Sequence, residues 1–158
     1  MDGFMKIIKK PNLPAPRGQS LVEFAVSLVV LLLLLVLIVD AARILFTYMA
    51  LRDAAQEGAL YGSLCPDDHD YADTTCGNSN IEDHARNASD MVRGFGPSNV
   101  QVQVSYNSIN HCVGAGITIR VTYTNYPLTM PFLGTILGRQ TIPISATATD
   151  TILRPRCS

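Results

Sequence analysis

The sequence predicts an α+β fold: a long N-terminal transmembrane helix packing on a small, mainly antiparallel β-sheet, with one further helix. Three observations predict it. From Phe24 to Val39 every residue is apolar except Ser27, a run that only lipid or similar helices accommodate. Beyond the run, Ile44, Leu45, Tyr48, Leu51, Ala55 and Ala59 recur at three- and four-residue steps, the spacing of one apolar helical stripe. Further on, three segments alternate apolar and polar residues with the period of two that marks half-buried strands.

Composition sets the domain count. The chain has 158 residues, 47% hydrophobic and only 16% charged, which is one domain plus an anchor. Lys6, Lys9, Lys10 and Arg17 precede the apolar run against Asp2 alone, and positive flanks stay cytoplasmic. The division expected is a cytoplasmic leader at 1–18, a transmembrane helix at 19–42 and an extracytoplasmic domain at 43–158. The protein is then single-pass in the cell membrane with its N-terminus inside. Leaving out the four leader cations and Asp2, eight Arg face twelve Asp and Glu, a net charge of −4. A domain of that sign has no electrostatic basis for binding nucleic acid.

Each element has its own signal. Pro11, Pro14 and Pro16 deny the leader backbone donors and argue for an unstructured segment. From Leu21 no Pro or Gly occurs until Gly58, so a helix of about 40 residues, roughly 60 Å long, is expected. Asp40 and Arg43, three residues apart, fall on one helix face at the outer edge of the apolar run, where they mark its end and are spaced to pair. Gly62 through Ser79 reads as a polar loop. Ser79-Asn80-Ile81-Glu82 has the spacing of a capping box and starts the second helix, which Gly94, Gly96 and Pro97 end. The strands are expected near Val100–Tyr106, Ile117–Tyr126 and Thr141–Asp150, with Pro143 at an edge or a bulge.

The four cysteines, Cys65, Cys76, Cys112 and Cys157, all follow the apolar run, and an even count in an exported domain suggests disulfides. Three pairings are possible. If the second and third strands pair antiparallel, Cys112 comes beside Cys157, leaving Cys65 with Cys76. No CxxC pair supports zinc. The loop acids Asp67, Asp68, Asp70 and Asp73 invite a calcium reading, but the glycine and distal Glu of an EF-hand are missing, so a solvated loop is the better account and no metal or cofactor is expected. His69, His84 and His111 join no catalytic motif, so the chain is not expected to be an enzyme.

The stretch Arg17-Gly18-Gln19-Ser20-Leu21-Val22-Glu23-Phe24 resembles the processing site of type IV prepilin-like proteins, with a basic leader, Gly at the cut and Glu as fifth mature residue. Asp40-Ala41-Ala42-Arg43 and Ala54-Ala55-Gln56-Glu57-Gly58-Ala59 follow in order, and from Arg17 to about Gly62 the chain resembles the TadE-like family of Tad/Flp pilus systems. That resemblance implies a pilin-like fold and a minor pilin or pseudopilin supporting adhesion, biofilm or secretion. It implies as partners the membrane, a prepilin peptidase, other pilins or pseudopilins and inner-membrane pilus assembly proteins. Arg17, Gly18 and Gln19 are the implied processing residues, with Glu23, Asp40 and Arg43 in assembly. Glu23 would meet the new N-terminal amine of a neighbouring subunit, or else rest at headgroup level.

A different class of function is an exported ligand-binding or adhesive domain whose apolar run is a signal or anchor. Val39-Asp40-Ala41 offers small residues for cleavage after Ala41.

Overall fold

A computed structural model describes residues 18–66, 76–109, 111–129, 134–135 and 138–154. The leader, the acidic residues Asp67 to Asp73 and Cys157 lie outside the described residues. The chain divides into two compact units, residues 1–35 and 36–158.

The first helix, α1 (Gln19–Leu64), runs 46 residues, longer than the 40 expected. It passes through Gly58 and Gly62, which were expected to end it. Both glycines are buried where other elements approach closely. A Cβ on Gly58 would lie 3.0 Å from the Ala85 Cβ and 3.3 Å from the Ile119 Cγ2, and one on Gly62 would overlap the Ile117 Cδ1. Glycine is there to remove a side chain, at the ordinary cost in helix propensity.

In the first unit α1 is exposed along its whole apolar stretch, and the helix is long and apolar enough to cross a membrane. Exposed Leu and Val in such density are the surface that lipid would cover.

The second unit is built around a three-stranded antiparallel sheet, β1 (Val100–Tyr106), β2 (Gly116–Pro127) and β3 (Thr141–Thr151), in the order β1-β2-β3. The strands match their expected places, and the second and third are neighbours as expected. Val102 pairs with Val121, and Val121 in turn with Ala146. The alternation therefore stacks Val102, Val121 and Ala146 on one face, and Val104, Ile119 and Ala148 one row along. Pro143 sits on an edge strand opposite a register shift between Tyr123 and Tyr126, so it satisfies both readings. A residue without an N–H is tolerated there because no ladder bond is asked of it.

The apolar face packs on the second half of α1. Leu51, Ala54, Ala55 and Ala59 meet Ile117, Ile119 and Val121, all fully or almost fully buried. Burying a Leu, Ile or Val side chain stabilises by ~1.5–3 kcal/mol. The buried stripe differs from the one expected. Leu45 and Tyr48 are 52% and 43% exposed, while Thr47 and Ser63 are buried. Thr47 is tolerated inside because its hydroxyl donates to the Arg43 carbonyl (2.9 Å), and Ser63 likewise donates to the Leu60 carbonyl (2.8 Å).

Instead of one further helix there are two, α2 (Asn78–Asn87) and α3 (Asp90–Gly94). The capping box is not formed: Gly77 is the N-cap, with no side-chain cap bond, and Ser79 lies inside the first turn. The cap appears instead at α3, where the Ser89 hydroxyl accepts the Val92 N–H at 3.2 Å. Ile81 and Ala85 bury against α1, and the Tyr61 ring stacks on His84 with centroids 3.8 Å apart.

Candidate functional site

Two stretches of α1 carry the candidate residues. At its start, Gly18 precedes the first turn and its carbonyl accepts the Val22 N–H at 3.2 Å. A Cβ at Gly18 would meet nothing within 4 Å, so the chain's own packing does not require glycine here. Gln19 opens the helix and Glu23 lies one turn on, both exposed. Glu23 has no ion pair or hydrogen bond among the described residues. Its neighbours one helical turn away are Gln19, Ser20, Val26 and Ser27, so its carboxylate projects from a mixed patch at the head of the apolar run. Arg17, the remaining processing candidate, lies outside the described residues.

The second stretch is in the other unit, where the apolar run ends. Asp40 and Arg43 do not pair. Arg43 donates from Nη1 to the Thr129 hydroxyl at 3.1 Å, reaching the segment that follows β2. Asp40 is 5% exposed, and its Oδ2 is buried with no hydrogen-bond partner among the described residues. Spacing of three residues permits an ion pair without dictating it, and Thr129 is a competitor invisible in the local sequence. A buried acid left without a donor is costly in a folded chain, which makes Asp40 a better candidate for a role beyond folding than its spacing to Arg43 suggested.

At the far end of α1, Cys65 is bonded to Cys76, with Cα atoms 5.0 Å apart. Their bridge joins the end of α1 to Cys76, just ahead of α2. Cys112 is also disulfide-bonded. Cys157, the partner expected for it, lies outside the described residues. Gly114 donates to the Ile152 carbonyl at 3.0 Å, so the segment carrying Cys112 and the end of β3 are adjacent.

Among the described residues no group of His, Cys, Asp and Glu is placed to hold a metal ion. His84 and His111 are stacked on Tyr61 and Tyr106, each with ring centroids 3.8 Å apart. Reading the sequence alone missed Thr129, whose only signal was its place just after a strand-ending proline.

With this geometry in view, comparison with known proteins adds one finding. Residues 18–60 match the model of a protein family described as TadE-like protein. No curated protein and no solved structure matches the chain.

Proposed function

From the TadE-like identity of residues 18–60, we propose that this protein is a minor pilin or pseudopilin of a Tad-type (Flp) pilus system, held in the cytoplasmic membrane by the apolar part of α1. It acts by assembly and not by catalysis. A prepilin peptidase trims it after Gly18, and the domain beyond Asp40 stands on the extracytoplasmic side, where its disulfides form.

The observation that carries this reading is the extent of the family match. It begins at Gly18, the residue expected at the cut, and runs through the apolar stretch into the half of α1 that packs on the sheet. Gly18 then serves the peptidase, which must admit an extended backbone with no side chain. Its open surroundings support this, since nothing in the chain itself needs a glycine there. Glu23 serves assembly. Lying at the head of the apolar run, its carboxylate becomes buried once helices pack side by side, and a buried charge left unpaired costs several kcal/mol. The new amine at Gln19 of a neighbouring subunit is the cation that offsets this cost. Other pilins or pseudopilins and the inner-membrane assembly proteins of the system are the partners.

Glu23→Gln tests the assembly role, because it keeps size and hydrogen bonding and removes the charge. Insertion and cleavage should proceed normally while surface pili are lost. Normal piliation in cells that contain processed Glu23→Gln protein would remove Glu23 from the assembly mechanism.

A further inference from the structure

The two edges of the sheet differ. β1 is flanked by α2, with the Tyr106 hydroxyl donating to Asn78 Oδ1 at 2.8 Å. β3 pairs with β2 alone among the described residues. Which of its backbone groups face outward follows from its end. Ile152 donates to the Ala115 carbonyl at 2.8 Å and accepts from the Gly114 N–H at 3.0 Å, so residue 152 faces the β2 side. Alternate residues of an antiparallel strand turn their backbone groups to opposite edges. Ala146, Ala148 and Asp150 therefore face β2, and Ser145, Thr147, Thr149 and Thr151 face away. The Thr118 and Thr149 hydroxyls in contact at 2.9 Å agree, since side chains approach closest in the non-hydrogen-bonded pairs.

This open edge has defined ends. Pro143 has no N–H to offer, and the Thr151 N–H is taken by the Asp150 side chain at 2.8 Å. Between them Ser145, Thr147 and Thr149 keep three donors and three acceptors without protein partners among the described residues. Among the described residues no Lys, bulge or covering helix protects this stretch, the usual devices by which an edge is closed to strand addition. The flank of α1 beside it is also uncovered by any described residue. Leu153 donates to the Ser63 carbonyl at 2.8 Å, placing the row Ser63, Ala59, Ala55 on the β3 side. Tyr48 and Arg52 continue that row, Tyr48 43% exposed and Arg52 exposed without a carboxylate partner among the described residues.

We propose that β3 is the acceptor for a strand from a different protein of the assembly. An extended segment would pair antiparallel with Ser145–Thr149 and turn an apolar side chain and a carboxylate toward Tyr48 and Arg52. The inference rests on membrane insertion through α1, and that also argues against a second copy. β3 runs in the same direction as α1: its beginning lies near Arg43, through Thr129 and the Leu128 N–H to Gln140 carbonyl bond of 3.0 Å, and its end lies at Ser63. Two copies paired antiparallel through β3 would point their Val36 ends in opposite directions, whereas chains anchored in one membrane enter from the same side.

Amide hydrogen exchange resolved by residue tests this, comparing the full chain alone in detergent micelles with the complex purified from native membranes. In the complex the Ser145, Thr147 and Thr149 amides should exchange at least ~100-fold more slowly, while Ala146 and Ala148, already bonded to β2, change little. Equal exchange in the two samples overturns the proposal. So does protection already present in the chain alone, or protection in a complex that contains only copies of this chain. Thr147→Pro deletes the central outward donor, as Pro143 already does nearby, and should weaken the complex at least ~10-fold with Ala146 and Ala148 still protected. Arg52→Glu should weaken it similarly. Undiminished binding by Thr147→Pro overturns the strand pairing, and undiminished binding by Arg52→Glu overturns the carboxylate. Processing at Gly18 is read separately on the same samples, so failure of the pilin reading and failure of the edge pairing are told apart.

Discussion

At the scale of single residues, the glycines of α1 are the most informative. Gly58 and Gly62 look in the sequence like helix stops, because glycine interrupts helices in the absence of other information. Their reason is tertiary: the Ala85 Cβ and the Ile117 side chain occupy the space a Cβ would take. No local pattern carries that fact. Gly58→Ala therefore sets two effects against each other. Alanine gains up to about 1 kcal/mol of helix propensity, but the Ala85 Cβ 3.0 Å away is fixed to the backbone and cannot rotate aside. Overpacking costs ~1–3 kcal/mol, so the variant should be less stable by about 1 kcal/mol. Thermal unfolding of the full chain in micelles should show a Tm lower by ~2–4 °C. A Tm at or above the parent value would mean that α2 moves freely away from α1. Thr47 teaches the same lesson in reverse: its hydroxyl is satisfied by its own helix, so a polar residue lies inside while Tyr48 stays partly out.

At the scale of elements, the three strands were legible because alternation reports directly on which face is buried, and the antiparallel pairing of the second and third strands, posed as a condition for the cysteine pairing, is the one observed. The α2–α3 region was less legible. Ser79 and Glu82 have the capping-box spacing, yet the helix starts two residues earlier, at Gly77 as N-cap, so the box has no terminus to close. Ser89, which looks like one part of an Asn-x-Ser sequon, is the true cap. Ser89→Ala should then cost about 1 kcal/mol, whereas Ser79→Ala, at an exposed position, should be near neutral. Equal losses from the two, read as urea midpoints, would contradict the assigned helix starts. The Cys65–Cys76 bridge belongs to this scale too, since it joins two helix ends 11 residues apart in sequence. Cys65→Ser with Cys76→Ser should lower stability by ~2–4 kcal/mol. A change below ~1 kcal/mol would mean that the unfolded chain is little constrained by the bridge.

For the whole molecule, the candidate site was legible where chemistry is local in sequence. A glycine before an apolar run and a carboxylate five residues later are readable without a fold. Asp40 and Arg43 were read as neighbours on one face, but Arg43 turns to Thr129, 86 residues away, and that partner lay beyond local inspection. The open edge of β3 was equally hidden, because it depends on which strand is last and on what fails to cover it. We propose above all that the chain is cut after Gly18 and then used as an assembly subunit, with α1 retained whole. Mass measurement and N-terminal sequencing of the chain isolated from membranes of its native host test that most directly. The expected product is a mature chain beginning at Gln19, absent in Gly18→Val cells, where the precursor accumulates; a chain beginning at Met1 or at Ala42 would overturn the proposed processing.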